Sequence, residues 1–201
     1  MISDREDNAG LKMVVIYGSV RDKRQGIRAA RFVENCLRER GHDVSLVDPL
    51  ELELPLINKT YKEYTGGEAP EVLDELAALY READAFVIVT GEYNHSAPPA
   101  LTNLIDYFMN EYFWRPAGIV SYSSGPFGGV RAAVHLRAIL GEVGLVTIPS
   151  MFPVSKVQSA FDEDGGALDG AYPRRIQRFL DELEWYAGAL THARQKGVPY
   201  E

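Results

Sequence analysis

The chain has 201 residues, enough for one well-buried domain and short for two. Its 46% hydrophobic and 25% charged residues are those of an ordinary soluble globular protein, and a net charge of −8 argues against nucleic acid as the main partner, since phosphate neutralisation needs a basic face. No apolar run reaches the roughly 18–20 residues of a membrane span, and the lone Cys36 excludes an internal disulfide or a CxxC pair. The expected location is cytoplasmic, with no membrane partner.

In chain order, residues 1–11 read as a flexible polar tail without the apolar core of a signal peptide. Lys12 to Tyr17 (KMVVIY) is a β-branched apolar run closed by Gly18-Ser19, a buried strand. Helical spacing follows from Ile27 to Leu37 and stops at Gly41. Asp43 to Val47 is the second strand, and Asp48 to Gly67 is an irregular stretch rich in Pro, Tyr and Gly. Pro70 opens a helix with Leu73, Leu76 and Tyr80 on one side. Asp84 to Thr90 is the most apolar strand and is expected at the sheet centre. A helix through Leu101, Leu104, Ile105 and Phe108 follows, then a strand from Ala117 to Tyr122 and a helix from Val130 to Glu142. Leu145 to Ile148 is the fifth strand. After a second irregular stretch, an amphipathic helix runs from Tyr172 to Ala193.

Strands alternating with helices at this spacing predict right-handed crossovers in one α/β domain over 1–201. The expected architecture is a three-layer, flavodoxin-like, five-stranded parallel sheet of order 2-1-3-4-5. In such a sheet a ligand sits beyond the carboxyl ends of the strands where the chain order reverses, between strands one and three with strand four beside them. The loops at those ends are GSVRDKRQG, GEYNHSAPP and SSGPFGG, which are also the richest in polar residues, Gly and Pro. Topology and composition select the same three segments.

The first loop suits an anion. It runs into a helix N-terminus, Ser19 offers a hydroxyl, and Arg21 and Arg24 offer charged forks. Neither GxGxxG nor GK[ST] is present, so the pattern points to a mononucleotide. Gly26 and Ile27 complete this segment at the helix start. In the second loop Glu92, Tyr93, Asn94, His95 and Ser96 offer donors, acceptors and a flat surface to a planar ring. In the third, Ser123, Gly125, Phe127, Gly128 and Gly129 let the backbone approach such a ligand closely.

Carried by GSVRDKR, EYNHSAPPALTNLIDYF and SYSSGPFGGVRAAVHLR, the chain resembles the NADPH-dependent FMN reductase family, which includes chromate, quinone and azo-dye reductases. The resemblance runs from Met13 to the last helix. It implies FMN as cofactor, with the phosphate at Ser19, Arg21 and Arg24. It places the ring and ribityl chain along Glu92 to Ser96, and the pyrimidine end by Ser123, Gly125, Phe127, Gly128 and Gly129. It further implies NADPH or NADH as co-substrate, a small-molecule electron acceptor, and a homodimer or homotetramer. Gly91, Pro99, Thr102 and Ser124 depart from the family pattern, where proline, glycine, lysine and proline are usual.

The chemistry belongs to the flavin, so no side-chain nucleophile or base is expected. A cysteine nucleophile on a related sheet would follow the first strand, where Gly18-Ser19 stands, and Cys36 reads instead as a small helix hydrophobe. His42, His95, His135 and His192 lack metal-ligand spacing, and DEDGG reads as a turn, so no metal site is expected. The aromatic stretch Tyr107, Phe108, Tyr112, Phe113 and Trp114 reads as core, or as an oligomer contact that also walls the flavin face. The alternative function is a flavodoxin-type electron carrier without pyridine-nucleotide turnover, against which the Arg21/Arg24 pair argues.

Overall fold

The computed structural model describes residues 10–65 and 67–200, so most of the expected N-terminal tail lies outside the described residues. Five strands form one parallel sheet: β1 (Lys12–Tyr17), β2 (Asp43–Val47), β3 (Ala85–Gly91), β4 (Pro116–Tyr122) and β5 (Val146–Val154). Their order is β2-β1-β3-β4-β5, the flavodoxin-like order, with every residue of the central β3 buried.

Because side chains alternate across a strand, β1 feeds two cores. Met13, Val15 and Tyr17 pack on one face with α1 (Ile27–Glu39) and α6 (Ala171–Gln195). Val14 and Ile16 pack on the other with α3 (Glu71–Glu82), α4 (Pro99–Asp106) and α5 (Val130–Glu142). Burial on both faces explains why the strands read as continuous apolar runs rather than as alternating ones.

Two boundaries differ from the sequence-based expectation. The fifth strand does not stop at Ile148 but continues to Val154, through Pro149 and Pro153. β5 is an edge strand, and proline is tolerated where no neighbour needs its missing N–H. The stretch 48–67 is not wholly irregular. Asp48 caps a short helix α2 (Pro49–Leu52) by accepting from the Leu50 amide at 3.1 Å, and Thr60 and Glu63 cap a 3₁₀ turn at Tyr61–Glu63.

Candidate functional site

The loops that leave the carboxyl ends of β1, β3 and β4 enclose a cavity of about 400 Å³. That lies inside the roughly 300–1,000 Å³ range of cofactor pockets. Residues 19–26 wall one side, Gly91 to Tyr93 a second, and Tyr122 to Ser124 a third, with Val157 beside them.

In the first loop Ser19 is buried. Its Oγ lies 3.0 Å from Tyr93 Oη and accepts the Arg21 amide at 3.4 Å, which ties two loops together. α1 begins at the end of this loop with no side-chain cap and no acid in its first turn, so the positive end of its dipole is not offset by a carboxylate there. Arg21 is exposed with its guanidinium 5.8 Å from the Tyr93 ring centre, and among the described residues no carboxylate pairs with it. Arg24 is placed differently. Both its terminal nitrogens grip the carboxylate of Asp48, with Nη2 to Oδ2 at 2.5 Å, and Nη1 also donates to the Ser19 carbonyl at 3.0 Å. Its guanidinium lies 5.2 Å from the Tyr17 ring centre. Burial alone would lower its pKa, but the Asp48 carboxylate more than offsets this and holds the guanidinium above its ordinary value. The geometry thus brings Ser19, Arg21 and Arg24 to the cavity, with the charge of Arg24 paired to Asp48 and that of Arg21 left open.

Gly26 is required by close approach. A Cβ there would stand 2.0 Å from the ring of Tyr122, whose side chain backs the cavity. Ile27 opens α1 and turns to the core rather than to the cavity. In the second loop Tyr93 and Ser96 exchange backbone hydrogen bonds of 2.9 Å around Asn94 and His95, whose φ values of 50° and 66° make a hairpin turn of the I′ kind. Asn94 and His95 are exposed at its tip, whereas Glu92 and Tyr93 face the cavity. Glu92 Oε1 accepts from Arg131 at 3.0 Å, while its buried Oε2 has no partner among the described residues.

In the third loop Ser123 Oγ donates to the Gly125 carbonyl at 3.1 Å, which also accepts the Lys156 amide at 3.0 Å. Gly128 and Gly129 are buried in the turn; the Gly128 carbonyl accepts from Ser121 Oγ at 2.7 Å, and Gly129 takes φ 73° with the Tyr122 carbonyl 2.6 Å from where a Cβ would stand. Phe127 is 62% exposed beneath Arg131, at the rim. Asp48, Gly91, Tyr122 and Val157 also belong to this region and were not singled out from the sequence.

The aromatic stretch after α4 does not wall this cavity. Tyr107, Phe108 and Tyr112 are buried in the core behind the sheet. Phe113 and Trp114, with Arg115 and Arg194, line a separate cavity of about 690 Å³ at the amino ends of the strands. Size alone would favour that cavity, but it lies at the end of the sheet opposite the switch point.

The smaller cavity fits a phosphorylated planar ligand: a helix start without an acid in its first turn and an arginine with no carboxylate partner among the described residues, both for the anion, and glycines that admit the backbone. Comparisons with known proteins agree. A family model described as NADPH-dependent FMN reductase matches residues 11–159. An NAD(P)H-dependent FMN reductase of Pseudomonas aeruginosa is 34% identical over 193 residues, which cover 90% of this chain and 97% of that one. A quinone reductase of Escherichia coli K12 is 32% identical over 187 residues, covering 90% and 92%. Among solved structures, the flavoenzyme NAD(P)H:(acceptor) oxidoreductase of Paracoccus denitrificans superposes with a TM-score of 0.74 at 25% identity, covering 89% of this chain and 98% of that one.

Proposed function

The chain belongs to the NADPH-dependent FMN reductase family, and from that footing we propose how its residues hold the cofactor and what they do during turnover. It is an NAD(P)H-dependent flavin oxidoreductase whose acceptors are small molecules, quinones among them. The observation that carries the reading is one cavity at the switch point whose walls are the three loops.

Ser19, Arg21 and the amino end of α1 hold the FMN phosphate. Arg24 acts one step back: clamped by Asp48, it fixes the Ser19 carbonyl and so sets the curvature of the loop around the anion. Glu92 and Tyr93 border the ring, with Glu92 held in place by Arg131. Asn94, His95 and Ser96 form the turn that holds Tyr93 in place. Ser123 and Gly125 approach the pyrimidine end, with Phe127 at the rim and Gly128 and Gly129 shaping the turn beneath. When bound, FMN supplies the chemistry, accepting hydride from NAD(P)H and passing electrons to the acceptor. The protein supplies position, charge and access.

We also read the chain as a cytoplasmic homo-oligomer. The lone cysteine supports the first; the second is supported by Phe127 and Val134, 62% and 57% exposed at the carboxyl edge beside Arg131. The decisive experiment loads purified protein with FMN and follows NADPH and NADH oxidation with a benzoquinone or free FMN as acceptor. Acceptor-dependent oxidation is expected. FMN-loaded protein that oxidises neither coenzyme with any acceptor overturns the reading.

A further inference from the structure

Five cations fall between Arg21 and Arg31 in a chain of net charge −8, and the cofactor phosphate accounts for only part of them. Arg24 is neutralised by Asp48, and Arg21 faces the flavin cavity. Lys23, Arg28 and Arg31 are left over. They line a second hollow, of about 200 Å³, whose rim includes Gln25 and Glu163. Lys23, Arg24 and Gln25 border both this hollow and the flavin cavity, so the two adjoin.

The two arginines are aimed, not loose. Arg28 Nη1 donates to the Phe161 carbonyl at 3.3 Å and the Gln158 carbonyl at 3.5 Å, and Arg31 Nη1 to the Glu163 carbonyl at 2.6 Å. These bonds also fasten the segment after β5 onto α1, and that fastening is the plain structural use of the pair. A carbonyl, however, orients a guanidinium without cancelling its charge. The carboxylate that lines the hollow is that of Glu163, 3.5 Å from Arg28 and 87% exposed, a geometry in which an ion pair contributes little. Asp22, in the loop itself, is also exposed. Three cations thus line a space of about 200 Å³, where the one carboxylate among the lining residues is a weak counter-charge. A polyanion would need such charges spread along a face; here they are concentrated beside the cofactor cavity.

We propose that this hollow is a second phosphate site, which takes the 2′-phosphate of NADPH and sets the preference for NADPH over NADH. The inference rests on the reading of the chain as a flavin reductase. A dinucleotide whose nicotinamide lies in the flavin cavity has its adenosine end one nucleotide away, and the basic hollow adjoins that cavity across Lys23, Arg24 and Gln25. NADH carries a neutral hydroxyl at the position where NADPH carries the dianion, so the cations discriminate by charge. The hydride moved is the same for both coenzymes, so the discrimination resides in KM rather than in kcat.

The test compares kcat/KM for NADPH and for NADH in FMN-loaded protein, with a benzoquinone as acceptor. Arg31→Ala is expected to lower the NADPH-to-NADH ratio about tenfold, the size of one charged hydrogen bond. Glu163→Gln, which removes the counter-charge and leaves the fastening carbonyl in place, is expected to raise the ratio. Calorimetric titration with adenosine 2′-phosphate, adenosine 5′-phosphate and inorganic phosphate gives a second readout that needs no turnover. Adenosine 2′-phosphate is expected to bind best, and to lose that advantage in Arg31→Ala. A ratio unmoved by both substitutions overturns the proposal. Inorganic phosphate binding as tightly as adenosine 2′-phosphate also overturns it, since the hollow would then be a free-phosphate site. If neither coenzyme is oxidised at all, the reductase reading fails, and the titration still decides the phosphate site.

Discussion

Arg24 and Asp48 form a two-pronged ion pair beneath the phosphate loop, and the same arginine reaches the Ser19 carbonyl at 3.0 Å. The pair is 15% and 5% exposed in its side chains, so removing one partner strands the other away from water. Arg24→Ala is expected to cost about 3–5 kcal/mol of apoprotein stability, measured by urea denaturation. An Arg24→Ala protein as stable as the parent would show that the pair is not what holds the loop.

Arg21 makes the opposite prediction. It is exposed and has no carboxylate partner among the described residues, so Arg21→Ala should leave the apoprotein midpoint in place. FMN affinity should fall by about 10- to 100-fold, the equivalent of one charged hydrogen bond. Fluorescence quenching of FMN on titration reads this directly. The two arginines, alike in sequence, are then separated by which quantity each one moves.

That separation marks how far the sequence reaches. The order of strands, the switch point and the three loops follow from apolar runs and Gly/Pro punctuation, because these patterns are local. The partner of Arg24 is not local: Asp48 lies 24 positions away at the end of the neighbouring β2, and only the pairing of β1 with β2 brings the two together. Tyr122 was hidden for the same reason, since its ring reaches the cavity across β3. Asp48-Pro49 did carry a legible signal, a capping side chain before a proline at the first helical position, inside a stretch read as irregular. Pro149 misled in the other direction, because proline ends a strand only where a neighbour needs its N–H.

Gly26 and Tyr122 offer a coupled test. Gly26→Ala drives a methyl group into the Tyr122 ring and is expected to cost about 1–3 kcal/mol. In a Tyr122→Leu background, which vacates that space, the same substitution should cost much less. Additive losses in the double mutant would mean that the contact is not the cause.

Cys36 is half-buried on α1, and burial, with a smaller push from Glu39, raises its thiol to about 11. A thiol whose folded pKa exceeds its unfolded value favours folding while it stays protonated. That contribution is complete below about 8.5 and is lost as pH rises through about 11. At pH 8, Ellman's reagent should therefore react at least tenfold more slowly with the native protein than with protein in denaturant. Equal rates would contradict the burial.

Val134 tests the oligomer. Light scattering of the Val134→Asp variant should show a shift toward monomer, with apoprotein stability close to that of the parent, since the side chain is 57% exposed. A parent protein that is monomeric at every concentration would remove the reading.

The prolines of β5 bear on that assembly too. An edge strand presents unpaired donors and acceptors, to which a second sheet can add. At Pro149 and Pro153 the donor is missing, and the acceptor is already taken, by Arg137 at 2.7 Å and Arg175 at 3.1 Å. A second strand laid along that border would therefore lose its backbone bonds at both positions. That border thus resists the strand-by-strand stacking from which fibrils grow.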